Sequence, residues 1–293
     1  MVERIGTLVI VNSIVVLIAL AIILSIFIDP RWVIVMVSAS ITFGVLAPVV
    51  AVRRLYFLAG AVPHSALLAV VIAIPLARIL GLLDEYFWSI IIGTLLIYCV
   101  GYAIYRGVDA DTATAVFVAL TASLSVIVLY YVLTSYPLQT SIWAFIVGDP
   151  LLVSWKDVYI ALTVSVIVFI VVVLTYREHV VIGIDKDCVR LAGIKVKFYD
   201  WILFTVLGIA TITMLKIIGF VLEHVFILLP AAIATTSSES SFNAFLVSLA
   251  VSMFAALTGL YVTVVTGFAP AGITGLMLFS VYLGVLVMKK IRG

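Results

Sequence analysis

The sequence predicts an all-α protein, a polytopic bundle of about eight to ten transmembrane helices. Two observations carry the bundle itself. Hydrophobic residues make up 66% of the chain and charged residues 10%, with a mean hydropathy of +1.41, where an average soluble domain holds about 25% charged residues. The apolar residues also fall in ten continuous runs, each close to the roughly 20 residues needed to cross a hydrocarbon core. The runs show no inside/outside alternation, which argues against a β-barrel. A chain of 293 residues so divided leaves no sizeable soluble domain, so residues 1–293 read as a single transmembrane domain and any soluble activity needs partner chains.

The runs lie at about 7–28, 32–52, 60–80, 86–105, 113–133, 158–175, 201–219, 220–235, 243–266 and 272–288. The first is longer than a signal-peptide core and lacks a small-x-small cleavage site, so it is expected to stay as a span. The third carries Pro63 and Pro75, and the eighth is short and holds Pro230; both are expected to be broken or re-entrant. Asp109 and Asp111 precede the fifth run and are expected to cap a helix starting near Thr112. Asp149 reads as an outer-loop or cap residue. Trp32, Trp88, Trp143, Trp155 and Trp201 all fall near span ends, where indole rings favour the headgroup level. Cys99 and Cys188 are too few and too far apart for a disulfide scaffold or a thiolate metal site.

Orientation follows from the cations. With ten crossings and both termini cytoplasmic, the inner segments hold twelve Lys and Arg residues and the outer ones four, Arg31, Arg78, Lys156 and Lys216. That is a positive-inside bias, and the small net charge of +2 hides a polarised cell-membrane protein rather than a nucleic-acid binder. The longest inner segment, Tyr176 to Asp200, is the most polar part of the chain. A surface helix is expected there over about 184–194, capped by Asp185, with Asp187 in its first turn, Arg190 near its end and Gly193 as a left-handed stop. Val189, Leu191 and Ala192 are expected to supply its apolar contacts. Such a helix suits docking to a soluble partner. The chain has no G-x-x-x-x-G-K-S/T loop, so a transport cycle driven by ATP needs another polypeptide to hydrolyse it.

Ile217 to Ala234 sets Glu223 beside His224 in an apolar run. Ionisable groups at membrane depth are costly and mark ion or proton pathways. Neighbours in a helix point about 100° apart, so both face one path only if the helix breaks near Gly219 or Phe220. Lys216, about 10 Å before Glu223 along such an axis, is expected to snorkel outward.

Four segments in order resemble the membrane permease of the zinc/manganese-type ABC importers, over nearly the whole chain from about Val35 to Gly293. The family run R-R-x-x-L-x-G-D-A-L-S-H-A is similar to Arg53 through Ser65, and G-S-I-L-A-V-S-W-x-D-L to Gly148 through Val158. The family's D-E-E-x-A-R-A-x-G-I resembles Asp185 through Ile194, and V-G-x-L-L-V-T-A-L-L-I-I-P-A-A resembles Ile218 through Ala232. The resemblance implies a permease paired with a second copy of itself, two cytoplasmic ATPase subunits and an extracytoplasmic metal-binding protein. It implies no permanently bound cofactor, a transported divalent cation (zinc or manganese, or iron), and ATP used by the partner subunits. It also implies that His64 meets the cation, with an aspartate one turn earlier; Gly60 stands at that position here. Glu223 and His224 replace apolar or small hydroxyl residues of the family and are expected to complete a cation site with His64. A metal chelate such as a corrinoid or siderophore is the alternative cargo. A membrane-embedded metallohydrolase is less consistent, since His64, His179 and His224 form no H-E-x-x-H pair.

Overall fold

The computed structural model describes residues 2–136 and 150–292, with only the backbone of residues 2–5 and 292. Trp143, Asp149 and the Gly148-Asp149 start of the second family segment lie outside the described residues. Among the described residues every regular element is helical, and ten helices are long and apolar enough to cross a membrane. In order they are α1 (Val2–Phe27), α2 (Pro30–Val52), α3 (Tyr56–Leu80), α4 (Glu85–Tyr105) and α5 (Ala110–Ser135). After a 3-10 turn at Pro150–Leu152 come α6 (Trp155–Ile184), the short α7 (Lys186–Leu191), α8 (Val196–Ile218), α9 (Phe220–Ser237), α10 (Ser241–Thr266) and α11 (Pro270–Arg292).

Short acidic and hydroxyl side chains start these helices. Asp29 accepts from the Arg31 amide at 2.9 Å, Asp84 from Phe87 at 3.0 Å, and Asp109 from Thr112 at 2.9 Å, the last as the sequence predicts. Ser154 and Asp157 form a reciprocal capping box at the start of α6. The expected breaks at the prolines are not seen. α3 runs through Pro63 and Pro75, and α9 through Pro230. Each proline removes one backbone donor from a helix that keeps its remaining bonds, and all three rings are packed inside the bundle, where neighbouring helices support the helix locally.

Helix α2 is the centre, buried along most of its length and packed on α6, α9 and α10. Its Gly44 lets α10 approach closely, with the Leu249 backbone and Ser252 against it, and Ser248 Oγ donates to the Gly44 carbonyl at 2.8 Å. Close packing of small residues is the usual adhesive where lipid removes the hydrophobic drive. α3 packs instead on α4 and α5. α8 and α9 bridge the two groups: α8 touches α3, α4 and α6, and α9 touches α2, α3, α10 and α11. α1 lies at the edge, where Leu17 alone of its described side chains is fully buried.

The polar segment folds as predicted at its ends. Asp185 accepts from the amides of Asp187 and Cys188 at 3.0 and 2.9 Å, and Arg190 pairs with Asp187 at 3.1 Å. Gly193 follows α7 with φ of +83°, a conformation glycine adopts at little cost. The apolar contacts differ from expectation. Only Val189 is buried; Leu191 is 90% exposed and Ala192 is also outside, because six residues give one turn and a half and can turn only one apolar side chain inward.

Candidate cation path at the α3–α9 seam

The seam where α3 meets α9 holds the histidines. On α3, Phe57, Gly60, His64 and Leu67 form a partly exposed stripe at helical spacing; on α9, Val221, His224, Leu228 and Ala232 do the same. The two stripes share one open face. His64 and His224 meet on it with ring centroids 5.6 Å apart and planes nearly perpendicular, and Phe220 packs edge-on against His64 at 5.0 Å.

The two imidazoles are held differently. His224 has Nδ1 2.9 Å from the Phe220 carbonyl and Nε2 3.0 Å from the Gly60 carbonyl. A neutral imidazole carries one N–H, so it donates to one of these two carbonyls and keeps a lone pair on its other nitrogen. His224 is thus tethered to the backbone at the position where the family pattern carries its aspartate. His64 makes no hydrogen bond through its ring among the described residues, so its nitrogen lone pair is available to a cation. No carbonyl freed by Pro63 claims it.

Glu223 sits on the other side of α9. It is fully buried with Leu222, Phe226 and Ile227, and neither carboxyl oxygen has a hydrogen-bond partner. The Thr211 hydroxyl of α8 lies beside it but completes no bond in proper geometry. The chain does break where the sequence suggests, at Gly219 between α8 and α9, with φ of +83° and ψ of 164°. Both Glu223 and His224 nevertheless lie beyond the break, inside one regular helix, and so point apart. Among the described residues no three His, Cys, Asp or Glu side chains gather closely enough to hold a metal ion. The structure brings His64 and His224 together and keeps Glu223 away.

The remaining ionisable groups collect at the two ends. At the end predicted to face outward, Lys216 does not hang free: its ammonium stands 4.2 Å from the Tyr86 ring centre, and Tyr86 donates to Asp157 at 2.6 Å. Asp84 accepts from Lys156 at 3.4 Å. Partial burial works against ionisation of Asp84, but hydrogen bonds from the Phe87 amide and Lys156 prevail and hold its carboxyl below the usual range.

At the end predicted to face inward, Arg53 from the end of α2 pairs with Asp200 of α8 and donates to Nδ1 of His179 on α6 at 3.1 Å. Lys186, the first residue of α7, reaches the other Asp200 oxygen at 3.4 Å. Guanidinium has no acceptor, so His179 must present a bare Nδ1. Sequence reasoning counted these residues only as inside charges and missed their network; the one hint is that Arg53 and Asp200 close the second run and open the seventh, in segments assigned to the same side.

A profile of the ABC 3 transport family matches residues 25–289. The chain belongs to that family. Among its relatives, the manganese import system permease protein ScaB of Streptococcus parasanguinis is 23% identical over 227 residues, covering 77% of this chain and 78% of that protein. The manganese transport system membrane protein MntC of Listeria monocytogenes is 22% identical over 264 residues, covering 87% and 91%. PsaBC from Streptococcus pneumoniae, solved in complex with a Fab, superposes with a TM-score of 0.74 at 21% identity over 87% of this chain and 89% of that one. This ABC 3 family chain is therefore a multi-pass membrane protein with the permease fold the sequence resembles.

Proposed function

We propose that the chain is the membrane permease of an ATP-driven importer of a divalent transition-metal cation, and that His64 and His224 form the contact the cation uses in crossing. The observation that carries this reading is the pair of imidazoles facing each other on the open side of the α3–α9 seam. A polar pair on a lipid-facing apolar surface costs free energy without return. A second copy of the chain set against that face removes the cost and encloses a path on the two-fold axis. Imidazole nitrogen binds late first-row cations well, and a site with few fixed ligands holds them loosely enough to release. The curated relatives named for manganese support the divalent-cation cargo.

Power comes from separate subunits in this reading. Two cytoplasmic ATPase subunits press on α7, with Asp185 and Gly193 fixing its ends and Asp187 and Arg190 offering charge to the partner, and an external binding protein delivers the cation. Residues 1–293 act as one permease domain, tilting as a rigid body between inward- and outward-open states. Glu223 is held off the path in this conformation. A buried acid costs about 3 kcal/mol at membrane depth, and a turn of α9 about Gly219 that carries it toward the seam gives that cost a purpose. The test is uptake of radioactive manganese and zinc by cells carrying the assembled transporter. His64→Ala with His224→Ala abolishes uptake of both metals while the complex still co-purifies; undiminished uptake excludes the seam as the path.

A further inference from the structure

A second feature lies at the inner end, away from the seam. α7, the turn after it and the start of α8 wall a groove of about 790 Å³ whose far side is Tyr105 at the end of α4. Its polar side carries Lys195 and Lys197; its apolar side is made by Tyr105, Phe198 and Trp201. The Lys197 ammonium stands 4.4 Å from the Tyr105 ring centre.

Charge on this groove is not balanced from within. Asp200 is its one acid, and that carboxylate is already shared between Arg53 and Lys186. Arg190 is taken by Asp187. Lys195 and Lys197 make no ion pair among the described residues, and both are exposed. The aromatic wall stands where α4 leaves and α8 enters the apolar layer, the depth at which Trp and Tyr rings sit among headgroups. Phe198 is 58% exposed beside these cations, an arrangement of apolar anchor and paired lysines that fits a membrane surface better than bulk water.

We propose that this groove binds the headgroup of an anionic phospholipid of the inner leaflet, with Lys195 and Lys197 on the phosphate and Tyr105, Phe198 and Trp201 along the upper acyl chain. The site would fasten the flank of α7 to the membrane surface, so that the short helix moves with the bilayer-anchored start of α8. The inference depends on the inward orientation of this end and not on the cation path.

Native mass spectrometry of the purified full-length chain, titrated with phosphatidylglycerol, phosphatidylcholine or inorganic phosphate, tests it. Phosphatidylglycerol binding to the Lys195→Gln, Lys197→Gln variant is expected to be roughly thirtyfold weaker than to wild type, about fivefold for each cation near an anionic surface. The Lys195→Arg, Lys197→Arg variant keeps wild-type binding, which separates lost charge from lost folding, and phosphatidylcholine binds all three alike. Equal phosphatidylglycerol binding by wild type and the Gln variant overturns the proposal. So does inorganic phosphate bound as tightly as the lipid, which makes the groove a free-anion site. Loss of the co-purifying ATPase subunit from the Gln variant with lipid binding intact assigns the groove to a protein partner and overturns it as well.

Discussion

The α3–α9 seam and the Arg53–Asp200 end of the bundle both gather ionisable side chains, and they treat them in opposite ways. At the latter, Arg53, Asp200, His179 and Lys186 answer one another, and the Arg53 side chain is only 7% exposed. At the seam His64 is left with an open ring nitrogen, and one residue away from His224 a whole carboxyl is buried without a completed hydrogen bond. An interlinked network holds four helices in register; an unsatisfied one keeps valence for a visitor. The contrast teaches which histidines to suspect. His179 is the more deeply buried, 2% exposed, yet its Nδ1 is taken by Arg53, whereas the half-buried ring of His64 makes no hydrogen bond among the described residues.

The largest effect on stability is expected at the interlinked end. Arg53→Ala leaves His179 Nδ1 without its donor and Asp200 with Lys186 alone, and removing one member of a largely buried pair costs about 3 kcal/mol. Thermal unfolding of the purified protein measures this, and a loss no larger than that of an exposed substitution would erase the distinction between the two regions. Glu223→Leu moves stability the other way. Replacing an unpartnered buried acid by an apolar side chain of similar size stabilises by about 2 kcal/mol, while uptake falls if the acid serves the path. A stabilised variant with full uptake would remove Glu223 from the function.

Gly219→Ala comes next. Its φ of +83° strains any residue with a Cβ by about 1–2 kcal/mol, and the break between α8 and α9 sets how α9 presents His224. Melting temperature and uptake should fall together; an unchanged protein would show that the break carries no strain. The smallest effect belongs to the helix caps outside the membrane. The Arg31 side-chain hydrogen bond holds Asp29 below the usual carboxylate range, and the Thr112 amide does the same for Asp109. A carboxyl with a depressed folded value contributes fully above its ordinary value of about 4, and the contribution disappears as pH falls through the lower folded value. Helicity and melting temperature should therefore drop slightly between pH 5 and pH 3, a window where a rise would contradict the capping assignment.

What was legible in the sequence is what depends on near neighbours. Apolar run length gave the ten helices, and the Asp109 and Asp185 caps followed from a side chain reaching two or three residues ahead. The prolines misled because a missing donor says nothing of the helices packed around it; Pro63 and Pro230 look like breaks only in isolation. The pairings that matter are distant. His224 meets the Gly60 carbonyl across 164 residues, and Arg53 meets Asp200 across 147. The chain places Glu223 beside His224, but which of them faces α3 is decided by how α9 leaves Gly219, and no periodicity in a helix apolar on every side encodes that rotation.

The central claim is that the cation touches imidazole at the seam, and X-ray absorption at the metal edge reads that contact directly. With the transporter assembled and loaded with zinc or manganese, the account predicts imidazole scattering that is present in wild type and lost in the His64→Ala, His224→Ala variant. A spectrum without imidazole, or one unchanged in the variant, would contradict it.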